Sequence, residues 1–86
     1  MLRKEKYILW ALTDPGIILQ KLSTNTFYEL DEIQEKIWSY IDGTHSSEDI
    51  VQKLGKDFEN VAIEDLSKLV QDTIQYLYSC GLIFKF

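Results

Sequence analysis

Few residues in this chain could carry chemistry, and their scarcity limits what that chemistry could be. There is one cysteine, Cys80, and one histidine, His45, so neither an internal disulfide nor a Cys/His metal cluster can form. A nucleophilic cysteine needs a base brought beside it, and only one imidazole exists to serve. Cys80, near the end of a helical segment, reads as a small packed hydrophobe. His45 follows Gly43-Thr44 in a turn and reads as solvated. Glu29, Asp31, Glu32 and Glu35 are scattered acids on a capped, solvated helix start rather than a catalytic pair. No Ser/His/Asp arrangement, glycine-rich phosphate loop or nucleotide fingerprint is present. The residues point to a binding or structural domain, not an enzyme, with no cofactor and no metal.

The composition agrees. At 86 residues the chain makes one domain with one modest core. Its apolar share of 45% is well above that of a disordered chain. No apolar stretch approaches the roughly 20 residues that span a bilayer, and no signal-peptide core follows the charged start, so a cytoplasmic location is expected. Nine basic against fourteen acidic residues leave a net charge of −5. A nucleic-acid binder concentrates basic residues on one face to neutralise phosphates. Here the only basic cluster is Arg3-Lys4-Lys6, read as a tail, so no nucleic-acid partner is expected.

The elements that must position a binding surface can be read along the chain. Tyr7 to Leu12 is an apolar run ended by Thr13-Asp14-Pro15-Gly16, a strong turn signal. Ile17 to Leu22 is a second strand-like run, Ser23-Thr24-Asn25 a second turn, and Thr26 to Leu30 a third strand. The pattern predicts an antiparallel meander. The period then changes from two to 3.6 residues. Asp31 with Gln34 three residues on makes a capping box, Ile33, Ile37, Trp38 and Ile41 form a stripe, and Gly43 is placed to end the helix. Ser46 caps a second helix with the stripe Ile50, Val51, Leu54 and Phe58. A third and longest helix covers Ile63 to Ser79, with Ile63, Leu66, Leu69, Val70, Thr73, Ile74 and Leu77 facing the core. Gly81 ends it, and Leu82 to Phe86 form an apolar tail expected to pack back. The fold class is α+β, a three-stranded antiparallel sheet followed by three helices.

A three-stranded sheet has two edges, which proteins usually hide or charge. Thr26-Phe27-Tyr28-Glu29-Leu30 lacks lysine and proline and could accept an added strand. Equally, the strand could be central, or covered by the C-terminal tail.

The run FYELDEIQEKIWSYIDG, then SSEDIVQKL and the closing YLYSCGLI, resembles in order and spacing the signature of the PqqD-like proteins, or RiPP recognition elements. These are small winged-helix-like domains that hold the leader segment of a ribosomally made precursor peptide. Asp31 stands where many relatives carry asparagine; both residues cap helices. The resemblance covers nearly the whole chain, taken as one recognition domain over residues 1–86, and implies that a leader adds as a strand beside the third strand, packing into the groove between it and the third helix. Carried over, the site is Thr26, Phe27, Tyr28, Glu29 and Leu30 on the strand, with Tyr28 and Leu30 on one face and Phe27 and Glu29 on the other. On the helix it is Leu69, Asp72, Thr73 and Tyr76, with Lys68 at the rim.

Within the family, the aromatic FYEL and IWSYIDG segments look most like the stand-alone B1 group of lasso-peptide biosynthesis. That likeness implies three partners: a precursor leader, a cysteine leader peptidase of B2 type, and a macrolactam cyclase. The alternatives are a PqqD-type chaperone for a radical enzyme, or a winged-helix protein-interaction or transcriptional domain. If the third strand pairs with the leader, a proline at Tyr28 is expected to abolish binding, measured by the anisotropy of a fluorescent leader. A folded variant that bound normally would exclude strand addition there.

Overall fold

The computed structural model describes all 86 residues. It contains β1 (Leu2–Lys4), β2 (Ile8–Leu12), β3 (Ile17–Lys21), β4 (Thr26–Leu30), α1 (Glu32–Ser39), α2 (Ser47–Asp57), α3 (Ile63–Ser79) and β5 (Ile83–Lys85). The expected meander is present as an antiparallel sheet ordered β2-β3-β4, and the three helices follow it.

Each local start and stop has a physical cause. Between β2 and β3, the Thr13 amide donates to the Gly16 carbonyl at 3.0 Å, and Gly16 takes a φ of 101° that a Cβ could not adopt beside the Leu30 carbonyl. Between β3 and β4, Asn25 sits at a φ of 53°, and its Oδ1 accepts from Gln20 Nε2 at 2.8 Å. The Asp31 box forms in full: the Gln34 amide donates to Asp31 Oδ1 at 2.8 Å and the Asp31 amide to Gln34 Oε1 at 3.0 Å. Ser46 and Asp49 make a second box, with bonds of 3.2 and 3.0 Å.

Four expectations are corrected. The Arg3-Lys4 segment is no tail but a strand, paired with β5 through Arg3↔Phe84 and Lys4↔Ile83, so the element order gains a strand at each end. Its own pattern of one buried leucine among charges is too short to announce a strand. Second, α1 ends at Ser39 with Tyr40 as its cap, short of Gly43. Gly43 instead receives β1: its amide donates to the Leu2 carbonyl at 2.9 Å, and the Arg3 side chain fills the place of a Cβ. Third, Ile63 is 48% exposed, because as the first residue of α3 it overhangs the bare backbone of Gly55 in α2. Fourth, His45 is half-buried rather than solvated, its Nδ1 lying 2.9 Å from Asp42 Oδ1. Hydrogen bonds from Thr44 and His45 hold the Asp42 carboxyl well below the usual carboxylate range.

The core of 14 buried residues gathers the inner face of the sheet (Ile17, Leu19, Leu30) with Ile37, Trp38 and Ile41, then Ile50 and Leu54 of α2, and Leu66, Val70 and Leu77 of α3. The C-terminal segment packs back as expected, through buried Leu82 and Ile83. No helix is long and apolar enough to cross a membrane.

Ile37 and Leu54 are wholly enclosed. Truncation of either to alanine should therefore remove about 2–5 kcal/mol of folding stability in urea titrations, and Asp31→Ala about 1 kcal/mol through the lost cap.

Candidate functional site

The hydrogen-bond parity of the sheet decides which groups at its edges are free. On the β2 side, the pairs Thr13–Gly16 and Tyr7–Leu22 are bonded, and the Ile8↔Lys21 register then places bonded pairs at every second step. The even-numbered residues of β3, Ile18 and Gln20, therefore turn their amides and carbonyls toward β2. Ile17, Leu19 and Lys21 turn theirs toward β4, where they meet Leu30, Tyr28 and Thr26. The outward-facing main-chain groups of β4 are those of Phe27 and Glu29.

No other strand pairs with that edge, and the C-terminal segment pairs with β1 instead. Tyr28 is thus committed to β3 through its backbone. A proline there would break the sheet as well as any added strand, so the informative positions are Phe27 and Glu29.

Side chains follow the complementary alternation. Leu30 is a core residue and Tyr28 half-buried on the helix side, while Phe27 and Glu29 are exposed on the opposite face. Thr26 is held locally by its hydroxyl, 2.9 Å from that of Thr24.

Beside the start of α1 lies a cleft of about 280 Å³. Leu69, Asp72, Thr73 and Tyr76 of α3 form one wall, so four of the five helix residues expected at the site converge here. Asp31, Ile33 and Gln34 form the other. Thr73 is 4% exposed and lies at the base, whereas Leu69 is 38% exposed and turns to the cleft instead of the core. Lys68 is exposed and does not line it.

Sequence reasoning missed the α1 wall. A capping box placed directly after the strand was the available signal, because it ties Asp31 and Gln34 to the end of β4. Burial pushes the Tyr76 hydroxyl above its ordinary pKa, with further contributions from the Cys80 thiol and from Tyr28.

The cleft holds two carboxylates and no basic side chain. Asp31 is occupied by its cap, while Asp72 makes no ion pair. No three His, Cys, Asp or Glu side chains come together to hold a metal. Four wider hollows, of about 430 to 650 Å³, lie elsewhere on the surface, but none is lined by Leu69, Asp72, Thr73 or Tyr76. The arrangement can pair with an extended chain and seat a side chain; it has no nucleophile–base geometry.

A family model described as Coenzyme PQQ synthesis protein D matches residues 16–83. The chain belongs to the PqqD family. That match runs from the β2–β3 turn to β5 and so contains the whole candidate site. No match is found among curated proteins. Among solved structures, TbiB1 in complex with the TbiA(beta) leader peptide is similar at a TM-score of 0.84 and 21% identity, covering 98% of this chain and 96% of that one. Lasso peptide synthetase B1 complexed with the leader peptide gives a TM-score of 0.82 and 23% identity, with 98% of each chain covered. At those identities the likeness is one of fold, and it bears out the PqqD-like α+β architecture.

Because the folded state holds the Tyr76 proton more tightly than an unfolded chain, its contribution to stability is complete below an ordinary tyrosine pKa of about 10 and is lost as pH rises past it. Tyr76→Phe should flatten the alkaline decline of the unfolding midpoint and remove one late step from the tyrosinate absorbance titration.

Proposed function

We propose that this PqqD-family chain is a non-catalytic recognition domain, spanning residues 1–86, for the leader segment of a ribosomally synthesised precursor peptide. The leader adds as a strand to β4, bonding to Phe27 and Glu29, and sends side chains into the cleft of Leu69, Asp72, Thr73 and Tyr76. The observation that carries the proposal is the unpaired β4 edge, which runs directly into that cleft's wall at Asp31. The two similar structures, both complexes with leader peptides, support it.

Magnitudes apportion the binding. The outward groups of Phe27 and Glu29 offer about four main-chain bonds at ~1 kcal/mol net each. A micromolar complex requires about 8 kcal/mol. The edge therefore supplies register and part of the affinity, while apolar burial against Leu69 and Tyr76 supplies much of the rest.

Delivery is the mechanism. Holding the leader raises the effective concentration of its cleavage site at a modifying enzyme. The enzyme we propose is the B2-type cysteine leader peptidase of a cytoplasmic lasso-peptide pathway, with the macrolactam cyclase acting next. The family model's own description favours a second reading, a PqqD-type chaperone for a radical enzyme of quinone cofactor synthesis. The two differ in which precursor binds. A DNA-binding winged helix is disfavoured, since Lys68 is the only basic residue on α3.

Titration of a fluorescent leader from the adjacent precursor, followed by anisotropy, should give saturable low-micromolar or tighter binding. Phe27→Pro or Glu29→Pro should abolish it while preserving the far-UV circular dichroism, because neither amide serves the β3 ladder. Leu69→Ala should weaken it about tenfold and Asp72→Lys more modestly. Undiminished binding by both folded proline variants would exclude the β4 edge.

A further inference from the structure

The sheet has a second free edge, and its chemistry differs from that of β4. The strand β2, Ile8-Leu9-Trp10-Ala11-Leu12, contains no charge, proline or glycine. Four of its five residues are exposed, with Trp10 at 63% and Leu12 at 68%. Proteins protect a free edge with lysine, proline or a bulge, and β2 carries none of these.

The same parity that frees Phe27 and Glu29 on β4 applies here. Residues 7, 9, 11 and 13 serve β3, so the outward main-chain groups are those of Ile8, Trp10 and Leu12. On the helix side, Ile8, Trp10 and Leu12 border a hollow of about 460 Å³ that continues onto Ile17 and Trp38. An uncharged, apolar strand with vacant bonding groups is thus continuous with a recess whose apolar wall of Ile17 and Trp38 is rimmed by Lys4, Glu5, Glu35 and Ser39.

The charges at its ends select an occupant. The segment leading into β2 carries Lys4 and Lys6 around Glu5. The hollow at its far end is lined by Asp14, Glu32 and Glu35 with no basic residue. An identical strand laid antiparallel brings the basic end of each copy to the acidic end of the other, whereas a parallel one sets like charges together. A two-fold axis at Trp10 pairs Ile8 with Leu12 of the second copy, Trp10 with its counterpart, and Leu12 with Ile8. All three outward residues are then satisfied on both sides.

We infer that β2 is a self-association edge, on which a second copy of this chain pairs antiparallel about Trp10 to make one continuous six-stranded sheet. The order becomes β4-β3-β2 followed by β2-β3-β4 of the second copy. Both β4 edges stay free at the outer ends, so self-association and occupation of the β4 edge do not compete.

Sedimentation equilibrium of the full chain across the micromolar range tests this. The wild type should pass from monomer to dimer as concentration rises, with tryptophan emission moving to the blue because exposed Trp10 is covered while Trp38 is already buried. Trp10→Pro removes an outward amide without touching the β3 ladder, and Leu12→Lys charges the edge. Both should remain monomeric with native circular dichroism and unchanged leader binding. Lys6→Asp should weaken the dimer, and adding Asp14→Lys should restore it. A wild type that stays monomeric throughout, or a dimer that survives both Trp10→Pro and Leu12→Lys, overturns the inference. So does a monomer whose Trp10 emission shifts only when the leader peptidase is added, an outcome that assigns the face to that enzyme.

Discussion

Every main-chain group of the central strand β3 is spoken for, and that constraint governs the rest of the molecule. Ile18 and Gln20 serve β2, while Ile17, Leu19 and Lys21 serve β4. One register decision at the Thr13–Gly16 turn therefore sets which residues of both outer strands have free amides and which side chains reach the core. A slip of one residue would bury Phe27 and Glu29 and expose Tyr28 and Leu30. The burial of Ile17, Leu19 and Leu30 opposes that slip, because each fully buried side chain of this size is worth about 1.5–3 kcal/mol. The outer edge of β4 thus takes its chemistry from the core on its inner side.

The helices convert that edge into a bounded site. The capping box of Asp31 and Gln34 starts α1 immediately after β4, with no slack between them. This brings Ile33 and Gln34 opposite Leu69 and Tyr76. In turn, α3 is held by Leu66, Val70 and Leu77, which are wholly enclosed, so its outer residues are presented from a rigid element. Asp72 remains without an ionic partner in a chain of net charge −5. That leaves the cleft more receptive to a basic or neutral segment than to an acidic one.

Much of this was legible in the residues, and the reasons it was or was not are specific. The meander could be read because Thr13-Asp14-Pro15-Gly16 and Ser23-Thr24-Asn25 announce turns by their own chemistry. Both capping boxes could be read because cap and partner lie three residues apart. β1 could not, since three residues, one of them buried, give no period to detect; its partner β5 is about eighty positions away. The role of Gly43 was misread for a related reason. A glycine after a helical stripe looks like a helix stop, whereas here it admits the Arg3 side chain. Leu69 shows the ambiguity of a helical stripe: a position at core spacing still faces a cleft when nothing covers that part of the helix. Leu69, Asp72, Thr73 and Tyr76 could be grouped from their spacing on one helix face, and they do line one cleft, but its opposing wall on α1 emerges only from the way β4 runs into the cap.

Under the proposed function and the inferred self-association, the two edges of the sheet divide the work of a small domain. An edge meant for a transient partner should offer register without excess affinity. β4 does so through two outward residues, with half-buried Tyr28 beside a cleft that contains carboxylates. An edge meant for a lasting partner should be uncharged and apolar on its accessible faces, which describes β2. Reversing these characters would cost function at both ends. A strand like β2 at the peptide edge would pair with any extended apolar chain, because main-chain bonds do not discriminate and nothing in it would repel a wrong partner. A strand like β4 at the other edge would turn the Glu29 carboxylates of two copies toward the same interface and weaken their association. On that proposal, the asymmetry of charge between the edges is what would let one sheet present two open strands without either taking the other's partner.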